Sequence, residues 1–60
     1  MMTNSKLIGR RVKALETNRM TGIKKGEYYK IVDEEYDGFS LKVKVGKEEI
    51  WFRSYYFDID

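Results

Sequence analysis

The sequence predicts one all-β domain of five short antiparallel strands. Apolar and polar residues alternate with a period of two in several segments, which is typical of strands that bury one face. Turns rich in Gly, Asn and Asp separate these segments. The 60 residues suffice for one domain (1–60), and nine of them are aromatic, which provides apolar surface for a core. Short strands with tight turns and no clear helix indicate a small barrel or sandwich.

The first two strands are predicted on either side of a long irregular segment. Residues 11–15 alternate polar with apolar, and residues 28–32 are rich in β-formers. Between them, residues 16–27 contain turn-forming residues together with Met20 and Ile23, which we expect to pack against the core. Residues 1–6 are mostly polar after the two Met and are expected to be flexible.

The third strand carries the clearest alternation in the chain. It follows Asp37-Gly38, a strong hairpin signal, and covers residues 39–45. Its apolar residues, Phe39, Leu41, Val43 and Val45, alternate with Ser40, Lys42 and Lys44.

The last elements follow a second tight turn at residues 46–47. Residues 49–53 are predicted to form the fourth strand, and residues 57–59 the fifth. Between them, residues 54–56 are expected to make one helical turn with Ser54 as its cap.

The period of two assigns side chains to the two faces of the predicted sheet. The inward set is Val12, Ala14, Tyr29, Ile31, Leu41, Val43, Ile50 and Phe52. The outward set is Tyr28, Lys30, Val32, Ser40, Lys42, Lys44, Trp51 and Arg53.

The composition excludes most catalytic chemistry. The chain has no Cys and no His, so it lacks disulfides, a thiol nucleophile, an imidazole base and the usual zinc ligands. The segment 22–26 lacks the spacing of a phosphate-binding loop, and the acidic segment 33–38 lacks that of a calcium loop. We therefore expect no enzymatic activity, no catalytic residues, no metal and no cofactor.

The pattern of hydropathy and charge bears on location and partners. No segment has the roughly 18 apolar residues of a membrane span, and the absence of Cys fits a reducing compartment, so we expect a cytoplasmic protein without a membrane partner. Residues 1–26 hold seven basic residues and one acid, a net charge of +6, whereas residues 27–60 hold five basic residues and nine acids, a net charge of −4. A folded domain either brings these charges together or presents a basic face to an acidic partner.

Three segments resemble SH3 domains. Residues 21–32 are similar to the turn and strand that follow the first long loop, 38–43 to the third strand, and 51–57 to the last strand and helical turn. The resemblance implies a five-stranded antiparallel SH3-like barrel. Arg53 stands at the position of the groove Pro, and Tyr56 is the one groove aromatic that matches, so we do not expect recognition of proline-rich peptides.

The pattern Lys-x-Gly-x-x-Tyr-x-Val/Ile … Gly … Trp is more similar to small SH3-like proteins of phages and mobile elements of Gram-positive bacteria. Most of these have no assigned activity. The resemblance implies a binding module, such as an adaptor or inhibitor of a host protein.

Two binding hypotheses follow from the outward residues. The first is a protein-binding surface, because Trp, Tyr and Arg are favoured anchors of interfaces; its residues are Tyr28, Lys30, Lys42, Lys44, Trp51, Arg53, Tyr55 and Tyr56. The alternative is nucleic-acid binding by the same basic and aromatic sheet face, with Arg10, Arg11 and Lys13 as further contacts. The oligomeric state stays open.

Overall fold

The computed structural model describes residues 7–59, and its regular structure is almost entirely β. The elements are β1 (Arg11–Ala14), β2 (Tyr28–Glu35), β3 (Ser40–Val45), β4 (Glu48–Arg53), a 3-10 helix (Ser54–Tyr56) and β5 (Phe57–Ile59). The predicted all-β class, the five strands and the short helical turn are confirmed. The expected flexibility of residues 1–6 lies outside the described residues.

The five strands form one antiparallel sheet in the order β4-β3-β2-β1-β5. Strands β1 to β4 are paired in the order in which they follow one another along the chain. β5 pairs with β1 on its other side, through Val12↔Ile59 and Ala14↔Phe57. Within residues 7–59, β4 and β5 form the two edges of the sheet and are not paired with each other. The antiparallel sheet is therefore shown, whereas the ladder does not close into a barrel.

β2 is longer than predicted because it belongs to two ladders. Its first half pairs with β1 and its second half with β3, and the register against β3 shifts between Ile31 and Asp33. Ile31 lies opposite Val43, and Asp33 lies opposite Lys42. Such a bulge bends the strand and increases its twist. The bulge lies between the part of β2 that pairs with β1 and most of the part that pairs with β3.

The core lies on the inner face of this bent sheet. The predicted inward set is confirmed: six of its members are buried, and Tyr29 and Ile50 are partly buried against them. Ile23 and Phe57 complete the core, so the expected role of Ile23 is also confirmed. The buried apolar residues are Val12, Ala14, Ile23, Ile31, Leu41, Val43, Phe52 and Phe57.

Four of the predictions are wrong in detail. Met20 does not pack on the core but is 96% exposed at the tip of its loop. Phe39 is 50% exposed because it belongs to a four-residue turn over 36–39, and the alternation of β3 begins only at Ser40. Ser40, which was assigned to the outward face, is buried, because Arg53 opposite it donates a hydrogen bond to its hydroxyl.

The fourth error concerns the 3-10 helix. Ser54 does not cap it, because the helix begins at Ser54 itself, after an extended Arg53, without a side-chain capping bond. Instead the Ser54 N–H donates to the carbonyl of Phe39 at 2.8 Å. This bond joins the helix to the turn before β3 and brings the two segments together at one end of the sheet.

Candidate functional site

The first part of the site is a cation–π contact between Lys42 on β3 and Trp51 on β4. Lys42 lies opposite Trp51, and its Nζ is 5.6 Å from the centroid of the indole ring. The same Nζ is 3.7 Å from Oε1 of Glu49. Trp51 remains 40% exposed. Lys42 thus supports the ring while part of its charge is offset by an acid on the same surface.

Arg53, at the end of β4, is held by two contacts. Its Nη1 donates a hydrogen bond to the Ser40 hydroxyl, and its guanidinium carbon lies 5.1 Å from the centre of the Phe39 ring. A guanidinium over an aromatic face gains cation–π attraction of about 0.5–1 kcal/mol at exposed sites. The side chain is exposed, so it presents an oriented cation to solvent.

Aromatic rings continue this surface from the turn before β3 to the 3-10 helix. The centroids of Phe39 and Tyr55 are 6.5 Å apart, and those of Tyr55 and Tyr56 are 5.1 Å apart. Tyr56 meets the core edge-on at Phe52, with centroids 6.0 Å apart. Tyr55 is 66% exposed and Tyr56 is partly buried. The rings are therefore anchored to the core at one end and open to solvent at the other.

We call this continuous group the aromatic surface; its residues are Phe39, Trp51, Arg53, Tyr55 and Tyr56. It borders an open cleft of about 440 Å³. The loop residues Asn18 and Thr21 form one wall of the cleft, and the other wall is formed by Ser40, Trp51, Phe52, Arg53 and Tyr56. The cleft has both apolar and hydrogen-bonding groups on its walls and is open to solvent.

The loop wall is ordered by its own hydrogen bonds. Asn18 pairs with Ile23 as an isolated bridge, and Oδ1 of Asn18 accepts the N–H of Met20 at 2.9 Å. The buried Ile23 ties the loop to the core. Asn18 and Thr21 are thereby fixed opposite β4.

The structure brings five of the eight predicted contact residues to this side of the molecule, and these are Lys42, Trp51, Arg53, Tyr55 and Tyr56. The other three lie elsewhere. Tyr28 and Lys30 pair with Lys13 and Arg11 on β1, before the bulge of β2. Lys44 lies opposite Glu49 near the β3–β4 turn.

Sequence reasoning missed Phe39, Asn18 and Thr21. Phe39 was assigned to the start of the third strand, although its position directly after Asp37-Gly38 was a signal that it could belong to the turn. Asn18 and Thr21 were noted only as turn-formers. No local pattern places them beside β4, because that contact depends on how the loop packs.

Among residues 7–59, no group of three or more Asp and Glu side chains is arranged to hold a metal ion. No helix in the same range is long and apolar enough to cross a membrane.

Comparison of the chain with known protein families, with curated proteins and with solved structures yields no match. The SH3-like assignment and the origin in phages or mobile elements stay predictions from the sequence. The function proposed below therefore rests on the aromatic surface and its cleft.

Proposed function

We propose that the protein is a non-catalytic protein-binding module, and that the aromatic surface with its cleft is the contact. The observation that carries this proposal is a group of four exposed side chains: Trp51 and Arg53 line the cleft, and Phe39 and Tyr55 extend the surface from Arg53 through ring contacts. Trp, Tyr and Arg are the residues most enriched among binding hot spots. Their concentration at one end of a small domain matches the composition of an interface centre.

The surface is also pre-organised. Arg53 is held by Ser40 and Phe39, and Tyr55 is held between the rings of Phe39 and Tyr56. Side chains that are already ordered lose less conformational entropy when a partner binds, and each mobile side chain that must be immobilised costs about 0.5–1.5 kcal/mol. The open cleft offers space for an extended segment or a side chain of the partner.

The acids on the same side of the sheet favour a protein partner over a nucleic acid at this surface. Glu49 neutralises part of the charge of Lys42 and lies opposite Lys44, and Asp33 lies opposite Lys42. Phosphate binding needs cations that are free to replace counterions. A protein partner instead uses mixed charges at the rim of an aromatic centre. The role would be that of an adaptor or an inhibitor of a larger protein, which is what the resemblance to phage proteins implies.

The test is affinity capture from a lysate of the organism that encodes the protein, followed by titration of the purified partner. We expect Trp51→Ala and Arg53→Ala each to weaken binding by about 30-fold, because a hot-spot residue contributes about 2 kcal/mol or more. Tyr28→Ala is the matched control, since Tyr28 is a similarly exposed aromatic on the other part of the sheet. Partner affinity unchanged in both Trp51→Ala and Arg53→Ala would refute the proposed surface.

A further inference from the structure

We infer that the outer surface of β1 and β2 is a second site, which binds single-stranded nucleic acid. The site goes beyond the proposed protein-binding function and shares no residue with the aromatic surface. We call it the basic patch; its residues are Arg11, Lys13, Tyr28 and Lys30. It lies on the part of β2 that precedes the bulge and pairs with β1.

The register of β1 and β2 concentrates positive charge in this patch. Arg11 lies directly opposite Lys30, and Lys13 lies directly opposite Tyr28. Side chains that face each other across two strands have Cβ atoms about 4.5–5.5 Å apart. Arg11 and Lys30 therefore lie close enough for one anion to contact both.

The lysines of the patch are not neutralised by the protein. Neither Lys13 nor Lys30 forms an ion pair with any residue of the described chain, in contrast to Lys42 with its contact to Glu49. Asp58 on β5 lies opposite Lys13 in the register, without an ion pair between the two side chains. The charge of both lysines is therefore available to a ligand.

A neighbouring turn adds to the positive field. The N–H of Gly26 donates to the carbonyl of Ala14 at 2.8 Å, so the exposed Lys24 and Lys25 lie close to the end of β1. Glu27 is the acid on this side of the turn, and it directly precedes Tyr28. The cations Arg11, Lys13, Lys24, Lys25 and Lys30 still outnumber the acids Glu27 and Asp58 around the patch.

The exposed ring of Tyr28 distinguishes nucleic acid from other anions. Tyr28 is 48% exposed, and the guanidinium carbon of Arg11 lies 5.1 Å from its ring centroid. Along one strand, Arg11 and Lys13 are about 6.7 Å apart, a spacing of the same order as that of successive phosphates in an extended nucleic-acid strand. Cations for the phosphates and a ring for a base are the two elements of single-strand recognition. A purely acidic peptide such as poly-glutamate has no base to stack on this ring.

The test is fluorescence anisotropy of a labelled, mixed-sequence DNA 12-mer, titrated with the protein at 50, 100 and 200 mM salt. We expect Lys13→Gln/Lys30→Gln to weaken binding by about 25-fold at 0.1 M salt, because each lost phosphate contact removes about 0.7 from the slope of log K against log salt. The slope itself should fall by about 1.4. Tyr28→Ser should weaken binding by at least about fivefold through the loss of stacking.

The matched control is Arg19→Gln/Lys47→Gln, which removes two exposed charges from the β1–β2 loop and the β3–β4 turn, neither of which pairs with the strand residues of the basic patch. Its affinity should stay within about threefold of the wild type, since charges beyond a Debye length of about 10 Å are screened. Trp51→Ala should leave DNA binding unchanged, which separates this site from the proposed protein-binding surface. Absence of a complex at 50 mM salt, or an equal loss in the control, would overturn the inference. Equal competition by a poly-glutamate peptide would show instead that the patch is a site for acidic proteins.

Discussion

Gly38 shows at the scale of one residue how the aromatic surface is built. The turn before β3 has three successive residues in the left-handed region, Tyr36 (φ 56°), Asp37 (φ 55°) and Gly38 (φ 90°). Gly38 is buried, and a Cβ on it would lie 2.8 Å from Cδ1 of Leu7. The turn ends at Phe39, which it directs outward beneath Arg53. The conformation of one glycine therefore helps to decide whether Phe39 joins the core or the surface.

Replacing Gly38 with Ala should lower the free energy of unfolding by about 1–2 kcal/mol, because an L residue is strained at this positive φ. Urea unfolding followed by Trp51 fluorescence measures the change. Gly26→Ala is the matched control for the strain alone: Gly26 has a similar φ of 88°, but a Cβ there meets no atom within 4 Å, so its loss should be smaller than that of Gly38→Ala, where the Cβ also meets Leu7. A Gly38→Ala variant as stable as the wild type would contradict this account of the turn.

At the scale of an element, β3 shows that the alternation of polar and apolar residues predicts burial only within the paired strand. Leu41 and Phe39 are two residues apart and share a phase in the period of two, yet Leu41 is fully buried and Phe39 is half exposed. The difference arises because β3 starts at Ser40, after the turn. Pairing with β4 extends from Ser40↔Arg53 to Val45↔Glu48. Residues before Ser40 are outside the paired strand, so their side chains need not alternate between its two faces.

The two residues should respond to truncation in opposite ways. Leu41→Ala should cost about 2–5 kcal/mol of stability through the cavity that it leaves, whereas Phe39→Ala should cost less than about 1 kcal/mol. Phe39→Ala should instead weaken partner binding, because Arg53 and Tyr55 lose the ring that orients them. Urea titrations measure the stability of both variants, and binding titrations measure their affinity for the partner. If Leu41→Ala is too unstable to study, Leu41→Val provides a milder cavity. Equal stability losses at the two positions would show that Phe39 belongs to the core.

At the scale of the whole molecule, the pairing of the first and last strands joins the two ends of the fold. β5 returns to β1 through Ala14↔Phe57, and the Phe57 ring meets Phe52 edge-on at 5.3 Å between centroids. The N–H of Leu15 also donates to the carbonyl of Tyr56 at 2.9 Å. The core therefore depends on residues separated by most of the chain, and we expect β1, β5 and the loop between β1 and β2 to order together.

Phe57→Ala should unfold the domain. The expected loss of about 3–5 kcal/mol is comparable to the total stability of about 3–9 kcal/mol for 60 residues. Circular dichroism and Trp51 fluorescence should lose their native signals together, as in a two-state transition. Tyr55→Ala, a neighbouring aromatic that is 66% exposed, should remain folded. Native signals in Phe57→Ala would mean that the sheet is stable without the Phe57 ring that packs β5 on the core.

Local pattern in the sequence determined the strands and the greater part of the core. Period-two alternation requires only that one face of each strand be buried, so it identified Val12, Ile31, Leu41 and Val43 correctly without knowledge of their partners. The Trp, Tyr and Arg residues of the candidate surface were recognisable by their chemistry. The absence of Cys and His follows from composition alone.

Tertiary structure decided which of these residues meet. The bulge in β2 separates Tyr28 and Lys30 from Trp51, the turn at Gly38 places Phe39 on the surface, and the packing of Ile23 sets the loop opposite β4. Each outcome depends on contacts between residues distant in the chain, which hydropathy periodicity within a segment does not encode. Alternation predicted a single outward face of the sheet. The bulge in β2 divides this face into the aromatic surface and the basic patch, two proposed sites of different chemistry.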